Sequence, residues 1–304
     1  MTIFYRRLPK FDYVRPPTIE QALSCLSPDF PVRHQVFAGG TDMLPKLKSR
    51  EVAAPPRLID LKGISGLDRI TFDNRRGLTI GACAAIRDVA RDAEVRRRYT
   101  ALAEGAALIA SNQLQHRGTI VGNVCNAVPS ADSAPALLVH DTQVVCASAR
   151  GERSVPLEDF FVDVGMTALL PGEIVTQLIL PVPQAAERST YLKLAPRGRM
   201  DLAVVGVAVA LVLDRGVVRR ARIALGSAAP VPLRAFEAEA ALLDQRVDDG
   251  LIARVAAIAA EHTRTRTSHR ASASYRRSML EVLVRRALSR LAAPADQPAL
   301  AVEP

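Results

Sequence analysis

The rhythm of hydrophobic and polar positions changes several times along the chain, and each change predicts an element. Thr18-Ile-Glu-Gln21 has the spacing of a capping box ahead of Ala22, Leu23 and Leu26, so a short helix follows the extended, proline-containing start. Residues 33–38 alternate as a strand, and 57–61 read as a second. Residues 69–72 and 78–83 flank Asp73-Asn-Arg-Arg-Gly77 in a hairpin pattern. From about 84 to 111 the period is helical, with Leu102, Ala106 and Ile109 on one stripe and Asn112 available to end it. Residues 112–135 are rich in Gly, Asn, Ser and Thr but partly apolar, which predicts a structured loop lined with hydrogen-bond donors. A helix from Ser130 to about His140 and strands at 143–147 and 173–180 follow, the last stopped by Pro181-Val-Pro183. That proline pair is the expected domain boundary. Beyond it come strands at 189–194, 202–213 and 217–225, a turn at Asp214-Arg-Gly216, and helices at 232–244, 249–261 and 275–291. Strands followed by helices imply an α+β second domain.

Between the strand at 33–38 and the next element stands Phe37-Ala-Gly-Gly-Thr-Asp-Met43. Adjacent glycines remove Cβ atoms that would keep a pyrophosphate from backbone N–H groups, and they reach φ > 0 without penalty. Thr41 adds a hydroxyl and is placed to cap a helix over 42–50. The same residues also suit an ordinary strand-to-helix turn, so this stretch alone leaves both readings open.

Composition narrows the class. With 304 residues the chain has room for two domains, and 49% hydrophobic with 23% charged residues is the balance of a folded soluble protein. The net charge, 40 − 31 = +9, raises the question of an acidic partner. Basic residues concentrate late, at Arg264, Arg266, His269, Arg270, Arg276, Arg277, Arg285, Arg286 and Arg290. They suit a solvated helix face, an acidic protein partner or nucleic acid, the last disfavoured because almost no aromatics accompany them. Cys25, Cys83, Cys125 and Cys146 are scattered without ligand spacing, which specifies neither zinc nor an iron–sulfur cluster. The N-terminus has no signal-peptide core and no segment offers 18 uninterrupted apolar residues, so a cytoplasmic protein without a membrane span is expected. Residues 293–304 are expected to be a disordered tail.

Taken together, Phe37-Ala-Gly-Gly-Thr-Asp42, then Gly118-Thr-Ile-Val-Gly-Asn123 with Pro129-Ser-Ala-Asp132 and Pro135, carry a resemblance. Tyr191-Leu-Lys193 with Arg197 and Asp201-Leu-Ala-Val-Val205, and His269-Arg-Ala-Ser with Tyr275-Arg-Arg277, extend it over nearly the whole chain. The sequence resembles the FAD-binding medium subunit of the molybdenum hydroxylases, the xanthine dehydrogenase and carbon monoxide dehydrogenase family. The resemblance implies an α+β protein: a para-cresol methylhydroxylase (PCMH)-type FAD-binding domain of two α/β subdomains at 1–182, then a C-terminal α+β domain at 183–292. It implies non-covalent FAD, with Ala38, Gly39, Gly40, Thr41 and Asp42 as the first pyrophosphate loop and Gln35, Val36 and Phe37 leading in. Gly118, Thr119, Ile120, Val121 and Gly122 would form the second loop, with Asn123 beside it. Asp132 would lie near the nucleotide half of FAD, Val175 against the flavin, and Lys193 near the isoalloxazine ring.

Two departures stand out. The family pattern has Gly-Gly-Asn and then Ser-Pro, whereas this chain has Val121-Gly-Asn123 and Val128-Pro129. The Val121 Cβ must point away from the pyrophosphate, or the loop must sit further out. Neither GxGxxG nor GxxxxGK[ST] occurs, so Rossmann and P-loop readings fail. The resemblance implies no catalytic residue on this chain, whose work is electron transfer from [2Fe-2S] clusters to NAD⁺, oxygen or another acceptor. A large subunit with the molybdenum cofactor and a small subunit with two [2Fe-2S] clusters would be its partners, in a dimer of heterotrimers. A free-standing flavin oxidase of the same fold is the alternative, disfavoured by the modest C-terminal domain; a basic nucleic-acid-binding module is a remoter one.

Overall fold

The computed structural model describes residues 7–198 and 200–293, so the expected disordered tail lies outside the described residues from 294 onward. The chain opens with β1 (Asp12–Val14), α1 (Ile19–Ser24), β2 (Val36–Phe37), α2 (Met43–Ser49) and β3 (Arg57–Asp60). The three strands form a parallel sheet in the order β1-β3-β2. Thr18 caps α1 as its capping box predicts, its hydroxyl accepting the Gln21 N–H at 3.3 Å. The strand expected at 33–38 shrinks to two residues, because Val32–His34 turn as a 3₁₀ segment. Gln35 is fully buried there, and its amide is committed to the Ser27 and Phe30 carbonyls and the Ser27 N–H. Its side chain therefore braces the turn.

A second sheet follows, built on β4 (Ile70–Asp73) and β5 (Gly77–Gly81). The single helical run expected over 84–111 breaks into α3 (Ile86–Arg91), α4 (Ala93–Arg98) and α5 (Thr100–Ala107). Asp92 is the reason for the first break: its carboxylate accepts the Glu94 and Val95 N–H groups and starts a new helix. The predicted loop at 112–135 also holds helices, α6 (Asn112–Gln115) and α7 (Ile120–Cys125), capped by the Ser111 and Thr119 hydroxyls. Then come α8 (Ser133–Leu138), β6 (Gln143–Ser148), β7 (Gly151–Pro156), α9 (Leu157–Phe160), β8 (Phe161–Asp163), β9 (Met166–Thr167) and β10 (Ile174–Leu180). The late strand β10 inserts between early ones, giving an antiparallel sheet in the order β4-β5-β10-β6-β7.

The last unit holds β11 (Glu187–Leu194), β12 (Val205–Asp214), β13 (Val217–Gly226) and β14 (Leu233–Arg234), then α10 (Phe236–Leu242), α11 (Asp249–Glu261) and α12 (Ala273–Ala292). Its antiparallel sheet is covered on both faces, which is why β12 reads as a nearly continuous apolar run. Val205, Val207, Val209 and Leu211 pack with the helices that follow. Ala208 and Ala210, on the alternate face, join Tyr191 in the core of the preceding units. Small side chains on that face let α5 and α8 approach the sheet.

Two of the late arginines are structural anchors, not a solvated face. Arg276 is buried and donates to the Val204 carbonyl and, at 2.8 Å, to Ser268. Arg290 joins α12 to Glu104 of α5 at 2.7 Å. No helix among the described residues is long and apolar enough to cross a membrane.

Candidate cofactor site

The two glycine-bearing loops touch. A Cβ at Gly39 would overlap the Arg117 carbonyl and lie 2.8 Å from the Gly118 Cα, so residue 39 is glycine because the second loop occupies that space. Gly40 is required differently, by a backbone φ of +74°. Gly118 in turn packs its bare Cα toward the Thr41 hydroxyl. A clasp closes the contact: Asn126 donates to Asp42 at 3.0 Å and accepts from Lys46 at 2.8 Å. Neither Asn126 nor Lys46 stood out in the sequence, although an Asn one helical turn after Gly122-Asn123 was the available signal.

What the loops present is backbone. Among the described residues no acceptor is found for the N–H groups of Gly39, Gly40, Thr41 and Asp42, nor for those of Thr119 and Val121, while the Ile120 N–H is turned to the Ala84 carbonyl by the antiparallel bridge between Ala85 and Thr119. Two sets of unclaimed donors on abutting loops suit an anion with several oxygens, the second set at the start of α7. Thr41 does not cap α2; Asp42 occupies the cap position without a side-chain bond to the helix. The Thr119 hydroxyl accepts the Gly122 N–H at 3.0 Å, and Asn123 accepts from Ser133 at 2.6 Å.

Several candidates meet the site only through the main chain. Ile120 and Val121 turn their side chains into the core, at 0% and 3% exposure. The Val121 departure is thereby absorbed: its Cβ leaves the mouth of the loop open. Val175, on β10, is likewise a core residue at 4% exposure. Val36 and Phe37 lead into the first loop half-buried, the Phe37 ring lying under the Lys62 ammonium at 4.1 Å.

Asp132 and Lys193 form a second cluster. Their side chains are 7% and 4% exposed and meet at 2.8 Å, while the Tyr191 hydroxyl donates to the other Asp132 oxygen at 2.7 Å. Lys193 also donates to the Leu108 carbonyl at 3.1 Å. Burial pushes the Asp132 carboxyl up, against the pull of Lys193 and Tyr191, and pushes the Tyr191 phenol well above its usual value. Asp132 was expected near the nucleotide and Lys193 near the ring. The two side chains are in contact, so they cannot serve opposite ends of an extended dinucleotide.

Elsewhere the chemistry is quiet. Burial raises the Cys83 and Cys125 thiols to about 12, out of the reactive range. His116 bonds the Asn112 carbonyl at 2.8 Å, a structural role. A cleft of about 460 Å³ lies apart from the loops, between the end of α8 and the C-terminal sheet, where Asp141, Arg222 and Arg234 line it.

Residues 9–183 match the family model described as the FAD binding domain in molybdopterin dehydrogenase. The chain belongs to that family. Residues 190–291 match a second, the CO dehydrogenase flavoprotein C-terminal domain. The glyceraldehyde dehydrogenase medium chain of Sulfolobus acidocaldarius is 29% identical, covering 93% of this chain and 99% of its own length. The xanthine dehydrogenase FAD-binding subunit of Escherichia coli O157:H7 is 30% identical over 93% of this chain and 96% of its own. A solved carbon monoxide dehydrogenase structure from Hydrogenophaga pseudoflava contains a chain that is 32% identical, with a TM-score of 0.87, covering 93% of this chain and 97% of that one. The protein is thus a flavoprotein of the oxidoreductase class, with an FAD-binding domain followed by a C-terminal domain. The unclaimed amides of the abutting loops are the feature of this chain that fits a dinucleotide pyrophosphate.

Proposed function

We propose that this chain is the FAD-carrying electron-transfer subunit of a cytoplasmic molybdenum hydroxylase complex. The observation that carries the proposal is the pair of abutting loops, Ala38–Asp42 and Gly118–Gly122, in which the N–H groups of Gly39, Gly40, Thr41, Asp42, Thr119 and Val121 have no acceptor among the described residues, inside a family-matched FAD-binding domain. Bound FAD would supply storage for two electrons, received from [2Fe-2S] clusters of a partner subunit and released to NAD⁺, oxygen or another acceptor. The chain's own residues bind and orient. The loop amides hold the pyrophosphate, the Thr41 and Thr119 hydroxyls and Asn123 flank it, and Gly39 keeps the two loops in contact. Lys193, fixed by Asp132 and Tyr191, sets a buried cation against the negative charge of the reduced ring, with Val175 in the apolar layer behind it.

The division we adopt is a PCMH-type domain at 1–182 and a C-terminal domain at 183–292. The partners are a large subunit with the molybdenum cofactor and a small subunit with two [2Fe-2S] clusters, assembled as a dimer of heterotrimers without nucleic acid. Production of the chain with both partners, followed by a visible spectrum of the purified complex, tests the proposal. Flavin absorbance in stoichiometric amount is expected; a complex without it overturns the assignment.

A further inference from the structure

The first loop is held from behind by a chain of polar groups with no counterpart in the motif. Asp60, at the end of β3, keeps only 4% of its side chain exposed. One carboxylate oxygen accepts the Tyr13 hydroxyl at 2.7 Å; the other accepts the Lys62 N–H at 3.0 Å and the Lys62 ammonium at 2.6 Å. Burial pushes the Asp60 carboxyl up, but the Lys62 and Tyr13 hydrogen bonds outweigh it and keep the group ionised. The same ammonium donates to the Ala38 carbonyl at 2.5 Å and lies 4.1 Å from the centre of the Phe37 ring. One cation therefore grips both the strand entering the loop and the first peptide of the loop itself.

Peptide geometry turns this grip into a directional effect. No cis peptide occurs among the described residues, and in a planar trans peptide the carbonyl of one residue and the N–H of the next point in opposite directions. With the Ala38 carbonyl held toward Lys62, the Gly39 N–H points away from it, and no described residue accepts that hydrogen. Resting on the FAD reading above, we propose that Lys62 is a positioning residue for the cofactor pyrophosphate, fixing the Ala38–Gly39 peptide plane so that the Gly39 N–H is presented to a phosphate oxygen. A charged donor suits the task because its hydrogen bond is about twice as strong as a neutral one. Asp60 holds the ammonium in place through one oxygen, and Tyr13 touches only the other.

The test uses the full chain, with FAD and ADP as separate probes, ADP reporting on the pyrophosphate loops without the flavin ring. Lys62→Met removes the donor; the double variant Asp60→Asn/Lys62→Met removes it without stranding a buried carboxylate; Tyr13→Phe loosens the same cluster without touching Ala38. Both Lys62→Met forms should bind FAD and ADP about 10-fold or more weakly, as expected for a lost charged hydrogen bond. Their Gly39 amide resonance should no longer shift on ADP addition, Lys62→Arg should recover most of the affinity, and Tyr13→Phe should bind ADP almost as the parent does. Folded Lys62→Met variants with parental ADP affinity and a shifting Gly39 amide overturn the proposal, as does a Tyr13→Phe variant as impaired as Lys62→Met. A parent chain that binds neither FAD nor ADP defeats instead the cofactor reading on which the proposal rests.

Discussion

Gly39 and Gly40 are adjacent and do different jobs. Gly40 adopts φ +74°, where an alanine is strained by about 1 kcal/mol, and its added Cβ would lie 3.2 Å from the Phe37 ring. Gly39 faces the backbone of Arg117 and Gly118, which cannot step aside without parting the two loops. Gly39→Ala should therefore lower FAD affinity by at least about 10-fold, more than Gly40→Ala, since separated donor sets no longer bind one anion together. Retained flavin per chain after desalting measures both; equal retention would show that the loops do not act as a unit. The sequence announced both glycines but not the close contact that the first one permits. Gly39 opens space for the other loop some eighty residues away, and pattern reading has no access to a contact at that separation.

At the scale of elements, one carboxylate gathers three arginines across the joint between the units. Asp141, just beyond α8, accepts from Arg220 at 2.5 Å, from Arg234 at 3.1 Å and from Arg222 at 3.3 Å, all three from the C-terminal sheet. Burial pushes the Asp141 carboxyl up, but the neighbouring Arg222, Arg220 and Arg234 charges outweigh it and hold it below the usual range. A depressed folded-state pKa contributes stability that is complete above the unfolded value, about 4, and is lost as pH falls through the folded one. Asp141→Asn should cost about 2 kcal/mol at neutral pH and flatten the acid side of the stability profile, both read by urea unfolding between pH 3 and 7. An unchanged profile would remove Asp141 from the joint. The elements themselves were largely legible: the strands 57–60, 143–148, 174–180 and 217–226 and the helices after 235 follow the hydrophobic rhythm. The breaks within 84–135 were not, because Asp92, Ser111 and Thr119 end and restart helices through side-chain bonds that look like ordinary polar positions.

For the whole molecule, cofactor and fold are linked. The loop amides and the Asp132–Lys193–Tyr191 cluster are brought together from residues far apart in the chain, so a ligand across them binds the folded chain and not the unfolded one. Added FAD should raise stability by about 2.7 kcal/mol at a hundred times its dissociation constant, and each further tenfold should add about 1.4 kcal/mol. Thermal unfolding of the apo chain over a range of FAD concentrations measures this; a midpoint indifferent to FAD would contradict the site.

The sequence by itself determined the kind of protein through a resemblance: two glycine loops in order, the Pro129–Pro135 stretch, and a strand carrying Tyr191 and Lys193 carried the likeness that points to FAD and to a partnered redox chain. Those are local patterns, readable because each backbone requirement is met by residues adjacent in sequence. Only the tertiary structure decided which residues meet. It set Gly39 against Arg117, tied Asp42 to Asn126, joined Asp132 to Lys193 and placed the Lys62 ammonium on the Ala38 carbonyl. The first, second and third of these contacts span dozens of positions. Ala38 and Lys62 lie just past the ends of the neighbouring strands β2 and β3, whose register only the folded sheet fixes.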